Sequence, residues 1–340
     1  MNNALKVILI FFVLFFFSSC RTSEVEQPNN SVGLFYPNYI PSPVYKFENN
    51  KLTQEGIQLG RMLFYDPILS SDSAISCGSC HSQAHAFADH NMKVSVGVGG
   101  RVGSRNSPPI FNLAWHPHFM WDGGVNHLEV VPLAPITNHF EMDDNIANIL
   151  IKLNRNTSYI TWFEKVFNKT IIDDQMLFFA LAQFMGSITS FESKYDHVKQ
   201  GKATFTQNEK LGYELFKTNC NSCHQEPLFT DFTFRNNGLD SVFIDKGRAS
   251  ITLLEKEEGL FKVPSLRNVA LTYPYMHDGR FRTLDDVILH YNSGIRKSKT
   301  LDYLLINPIV LNSKERQDII AFLKTLNDYQ LINQSNISEP

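Results

Sequence analysis

The pentapeptide Cys-x-x-Cys-His occurs twice, as Cys77-Gly78-Ser79-Cys80-His81 and as Cys220-Asn221-Ser222-Cys223-His224, and together the two copies use four of the five cysteines. The spacing is that of covalent c-type haem attachment, in which each thiol adds to one vinyl group of the porphyrin and the adjoining His stands on the iron as proximal ligand. Two other chemistries use the same cysteines. Paired Cys-x-x-Cys units can build a tetrathiolate zinc site, and a single pair can serve as a thioredoxin-like redox couple. Neither accounts for a His directly after each pair. Two covalently bound c-type haems are therefore expected, held by Cys77, Cys80 and His81 and by Cys220, Cys223 and His224.

The fifth cysteine bears on the compartment. Residues 1–19 read as a short basic start with Lys6, an apolar run from Val7 to Phe17, and Ser18-Ser19 before Cys20. Such a run suits a signal-peptide core and is too short to span a bilayer. Small residues directly before a Cys, with an apolar residue three positions before it, resemble a bacterial lipobox, in which cleavage leaves Cys20 as the lipidated first residue. The alternative is an ordinary signal peptide with an incidental Cys. Either reading exports the chain to the periplasm or cell envelope, where haem is attached, and the lipobox adds contact with a membrane through a lipid anchor. Residues 20–34 are polar, lack a periodic apolar face and read as a flexible tether.

The elements that must position the haem loops come next. About 320 residues follow the leader, enough for two domains of ordinary size. The formal charge is -3, with acids and bases dispersed, so nothing favours nucleic acid as a partner. A weak internal repeat sets Gly60-Arg-Met-Leu-Phe64 before the first haem motif and Gly212-Tyr-Glu-Leu-Phe216 before the second, each on a short amphipathic helix. Thr206-Gln-Asn-Glu209 is a capping box for the second of these, and Asn312-Ser-Lys-Glu315 a looser one before a final helix bearing Ile319, Ile320, Phe322 and Leu323. Further helices are expected over 143–154, 158–168, 173–192 and 283–292. No long alternating pattern argues for a sheet, and 95–109 reads as ordered loop. The fold class is mostly α with two haem domains, a peroxidatic one over 35–200 and an electron-transfer one over 201–330, joined by a polar linker at 196–203. The final helix is expected to pack back on the first domain, and 331–340 to form a tail.

Several longer motifs resemble the bacterial di-haem cytochrome c peroxidases, together with their MauG relatives that mature methylamine dehydrogenase. They are Leu59-Gly-Arg-Met-Leu-Phe-Tyr-Asp-Pro67, Arg105-Asn-Ser-Pro108, Phe119-Met-Trp-Asp-Gly123, Pro135-Ile136 followed by Glu141-Met142, Phe261-Lys-Val-Pro-Ser-Leu-Arg-Asn268, Tyr275-Met-His-Asp-Gly-Arg280 and Ala321-Phe-Leu-Lys-Thr-Leu326. The resemblance runs from about Leu52 to Leu326. It implies two cytochrome c-like domains and the reduction of hydrogen peroxide to water.

The same resemblance assigns roles residue by residue. Peroxide needs an iron with an open face, which resting family members close with a His in the loop after the first haem motif. Here that loop, 95–101, contains no His, and His85 and His90 are weaker candidates. Glu141 occupies the place of the family's acid/base carboxylate, and Val131 replaces a Gln that would hold distal water. On the second iron Tyr291 stands where ordinary peroxidases place a Met, as in the methylamine dehydrogenase maturation enzyme, with His290 as the competing ligand. A phenolate favours high-valent iron, whereas a thioether raises the potential. Trp121 matches the aromatic between the haems. Asn106 matches a ligand of an inter-domain calcium ion completed by carbonyls near 263–265. His277 holds either a haem propionate or its own turn.

These assignments converge on a lipid-anchored di-haem c-type peroxidase that takes electrons from a small donor such as a c-type cytochrome. A MauG-like long-range oxidase of a protein substrate and a non-enzymatic di-haem electron carrier are the alternatives. A homo-oligomer is compatible with all three.

Overall fold

Helices begin where the capping signals stand. Glu209 Oε2 accepts from the Thr206 amide at 2.7 Å and the Glu209 amide returns to Thr206 Oγ1, opening the helix Gln207–Asn219. Asn312 and Glu315 open Ser313–Lys324 in the same way. Asn145, Asn156 and Asp173 cap Ile146–Asn154, Thr157–Phe167 and Asp174–Ser187. That last helix is shorter than the 173–192 expected, because the chain turns extended at Ile188 on its way to the next cap at Ser193. Thr283 and Asp286 cap Leu284–Leu289, which runs on into a π-turn over His290–Gly294. In this computed structural model, which describes residues 31–89 and 91–340, the only sheet among the described residues is Phe234–Arg235 paired antiparallel with Phe261–Lys262. The fold is mostly α, as expected.

The sequence repeat marks two equivalent helix crossings. Gln54–Tyr65 crosses Asp174–Ser187 at Gly60, where an added Cβ would lie 2.0 Å from the Ala180 carbonyl oxygen. Gln207–Asn219 crosses Ser313–Lys324 at Gly212, where a Cβ would lie 1.8 Å from the Asp318 oxygen. Glycine is needed at both because any side chain would push the backbones apart. Four residues on, Phe64 and Phe216 are fully buried, each in its own apolar cluster. The first cluster is built mainly from residues 40–191, the second from 195–326.

Four expectations change. The stretch read as a polar linker holds a helix, Lys194–Lys199, and Asp196 within it is completely buried. Arg267 donates to both Asp196 oxygens at 2.9 Å, and Tyr39 and Ser193 add hydrogen bonds. The helix expected to return to the first domain, Ser313–Lys324, stays in the second cluster. The segment beyond it returns instead: Leu331 and Ile337 are buried in the first cluster, Tyr65 donates to the Ile337 carbonyl at 2.9 Å, and Arg61 holds the Ser335 and Ser338 carbonyls. The expected tail is thus packed. At the other end, residues 31–34 are not free tether, since the Val32 amide donates to the Leu52 carbonyl at 2.8 Å. Cys20, the 1–19 leader and His90 lie outside the described residues.

Burial alone would push the Asp196 carboxyl up, but the charge and hydrogen bonds of Arg267 outweigh it and hold it below the usual carboxylate range. A depressed acid contributes stability that is complete above its unfolded value of ~3.9 and is lost as pH falls through its folded value. Asp196→Asn strands a buried guanidinium and should cost about 3–5 kcal/mol in equilibrium unfolding near neutral pH. The difference from the parent should shrink in strong acid.

Candidate active site

Each haem loop directs one imidazole nitrogen inward. The short helix Cys77–Cys80 ends at His81, whose Nδ1 lies 3.0 Å from the Phe87 carbonyl oxygen. In the second loop His224 Nδ1 lies 3.1 Å from the Pro264 carbonyl and 3.3 Å from that of Phe229. A carbonyl on Nδ1 keeps the proton there and leaves Nε2 as an iron ligand of fixed direction. Burial lowers the proton affinity of both rings, so both are neutral, as ligation requires. The same burial pushes the Cys77 thiol up to about 12, Cys80 to about 11 and Cys220 to about 12, and raises Cys223. No disulfide joins either pair. Among the described residues no three His, Cys, Asp or Glu side chains converge as a metal site, which removes the tetrathiolate zinc reading. Two c-type haems fit this donor set.

Around the first loop, Glu141 is partly buried and its field reaches both Cys77 and Cys80. Burial raises its proton affinity, partly offset by the Asn138 amide that donates to it at 2.7 Å. The His-free loop packs on this carboxylate's own backbone. The Val98 amide donates to the Glu141 carbonyl at 2.8 Å, Arg101 donates to the His139 carbonyl at 2.5 Å, and Arg101 also pairs with Asp143. An added Cβ on Gly97 would lie 2.3 Å from the Phe140 oxygen and 2.4 Å from that of Glu141. Val131 is buried in the apolar cluster. His85 lies edge-on to the Tyr273 ring, 6.3 Å between centroids.

The π-turn sets its two neighbouring rings on the two ends of Asn237. His290 is buried and its Nε2 meets the Asn237 carbonyl at 2.9 Å. Tyr291 feels the Cys220 and Cys223 thiols, and burial pushes its hydroxyl up to about 12 against the Asn237 amide, which lies 3.5 Å from the phenol oxygen. That amide nitrogen is also 3.4 Å from Met276 Sδ. Asn237 and Met276 are additions to the site. Met276 stood inside a recognised motif without a role, and Asn237, in Asn236-Asn237-Gly238, carries the signature only of a turn.

Between the loops, Trp121 Nε1 donates to the Asn106 carbonyl at 2.8 Å, and its own carbonyl accepts from the Lys262 amide at 2.8 Å. The indole is thereby fixed to the Asn106 segment and its backbone to the Phe261–Lys262 strand. Arg105 bridges Asp122 at 2.5 Å and Asp245 at 2.6 Å. His277 stacks on Phe261 at 3.7 Å between centroids, and its carbonyl accepts from the Asn106 backbone amide. Asn106 directs its amide nitrogen at the Met92 and Lys93 carbonyls, and the Val263 and Pro264 carbonyls accept from Thr230 and His224.

Paired haem-attachment loops on two helical clusters define a di-haem c-type cytochrome. A di-haem cytochrome c peroxidase family model matches residues 54–204 and a cytochrome c model residues 209–327. Methylamine utilization protein MauG of Methylorubrum extorquens is 33% identical, covering 85% of this chain and 82% of its own. Cytochrome c551 peroxidase of Nitrosomonas europaea is 33% identical, covering 79% of each. A solved MauG-like protein associated with microbial copper homeostasis superposes with a TM-score of 0.85 at 34% identity, covering 91% of this chain and 99% of that one. The chain belongs to the di-haem cytochrome c peroxidase family.

Gly97→Ala tests the packing of the loop on the Glu141 turn. The methyl group must displace one backbone from the other, so cyanide affinity of the oxidised holoprotein should change by ~10-fold or more, about 1.4 kcal/mol. Haem content should stay at two.

Proposed function

We propose that the chain is a peroxidase that reduces hydrogen peroxide to two waters, taking two electrons from a small c-type cytochrome and two protons from solvent. Bound haem supplies the iron that holds the peroxide oxygens and relays electrons. The observation that carries the reading is a partly buried carboxyl, Glu141, with raised proton affinity, set beside the first haem loop and against a loop with no His to close the iron. Glu141 accepts the proton from the peroxide oxygen nearer the iron and returns it to the departing oxygen, the exchange general acid/base catalysis requires. Asn138 holds the carboxylate for both transfers. Trp121 links the two halves of the electron path.

We assign Tyr291 as the second ligand of the His224 iron. With a free hydroxyl pushed up to about 12, its proton leaves only when metal binds, as ligand deprotonation coupled to metal binding demands. This feature favours the long-range oxidation of a protein as the second reading. Among the described residues no helix is long and apolar enough to cross a membrane. We place the working compartment in the periplasm or cell envelope, where c-type haem is attached, with Cys20 as lipid anchor.

The oxidised protein as isolated, given peroxide and a reduced small c-type cytochrome, should turn over without prior reduction. Glu141→Gln should lower that turnover by ~10²-fold or more with two haems still bound. No turnover with any such donor would leave the long-range oxidase as the better reading. Tyr291→Met should raise the ferric/ferrous midpoint of one haem, because an anionic ligand has been replaced by a neutral thioether. An unchanged spectrum and midpoint in that variant would remove Tyr291 from the iron.

A further inference from the structure

The Phe261–Lys262 strand carries a cation with no acid of its own. Lys262 Nζ donates to the His118 carbonyl at 2.9 Å and approaches His116 Nδ1 at 3.4 Å, and among the described residues it makes no ion pair. Asp122, whose field reaches it, is engaged elsewhere: Oδ2 receives Arg105 at 2.5 Å and Oδ1 the Gly124 amide at 2.9 Å. Beside the ammonium, His118 Nδ1 is shielded from solvent and has no hydrogen-bond partner. The imidazoles lie among aromatic rings, His116 against Phe119 and Phe232 and His118 against Phe234. A cation and an orphaned ring nitrogen in such surroundings are costly unless an anion with hydrogen-bond acceptors joins them.

The backbone says which anion is within reach. Lys262 is two residues before Pro264, whose carbonyl takes His224 Nδ1, and its amide is bonded to the Trp121 carbonyl. The side chain is therefore rooted between the second haem loop and the backbone of Trp121. Haem carries two propionate carboxylates on one porphyrin edge. We propose that Lys262 is the counter-cation of a propionate of the haem on His224, with His118 Nδ1–H as a second donor to the same carboxylate. The pair neutralises that edge where it faces Trp121, and the positive charge holds the haem's midpoint up.

The test uses the di-haem holoprotein and reads both midpoints by spectroelectrochemical titration. Removing a cation beside a haem favours the more positive ferric state. Lys262→Gln should shift the His224 haem's equilibrium tenfold or more toward ferric, ~59 mV for a one-electron couple, while the His81 haem keeps its value and Lys262→Arg restores the parent midpoint. Lys262→Met, of similar length, repeats the measurement should the Gln variant lose haem. Unchanged midpoints in a fully loaded neutral variant would overturn the pairing. A shift confined to the His81 haem would overturn the assignment to the second haem, and equal shifts in the Arg and neutral variants would show packing rather than charge.

Discussion

Arg267 gathers the chain around one guanidinium. It holds both oxygens of Asp196, donates twice to the Pro227 carbonyl at 3.1 and 2.8 Å, and reaches the Ser190 carbonyl at 3.4 Å. Its plane is boxed by the rings of Phe191, Tyr195 and Phe229. A buried guanidinium is tolerable only when its charge and its five N–H groups all have partners. Those partners come from the end of the first half, the connecting helix and the second haem loop. Phe229 and Pro264, whose carbonyls orient His224, lie beside it in sequence or in space, so the direction of the second iron ligand rests on this ion pair.

Given that anchor, the two haem loops are alike in attachment and unlike in what faces them. Both use a backbone carbonyl to fix the imidazole and burial to keep it neutral. The first then meets a carboxylate and the 95–101 loop, which contains no His. The second meets a phenol, a thioether and an amide crowded into one corner. His290 and Tyr291 reach that corner together, one ring on the Asn237 carbonyl and the other on its amide.

Local chemistry was legible in the sequence. The haem motifs, the capping boxes and the glycine repeat each depend on residues within a few positions of one another, and each appears where its spacing put it. Asp196 was misread as part of a solvated linker because its partner lies 71 residues away, and nothing nearby in sequence announces that it is buried. Lys262 and Asn237 escaped for the same reason. Leu331 and Ile337, scattered in a polar stretch, form no periodic stripe, yet each fills a gap in a core built from distant helices. The π-turn that carries His290 and Tyr291 has no sequence signature.

The return of residues 329–339 to the first half has a consequence for assembly. Gln83, two residues after His81, donates to the Leu331 carbonyl at 2.9 Å and the Gln334 carbonyl at 2.8 Å, so the last segment walls the first haem loop. A polypeptide delivered with its N-terminus leading presents Cys77 and Cys80 long before that wall exists. The first crevice lacks this wall until residues 331–338 have been made, and gains it when they dock on Gln54–Tyr65. The order of synthesis along the chain is thus also an order in which this crevice is walled.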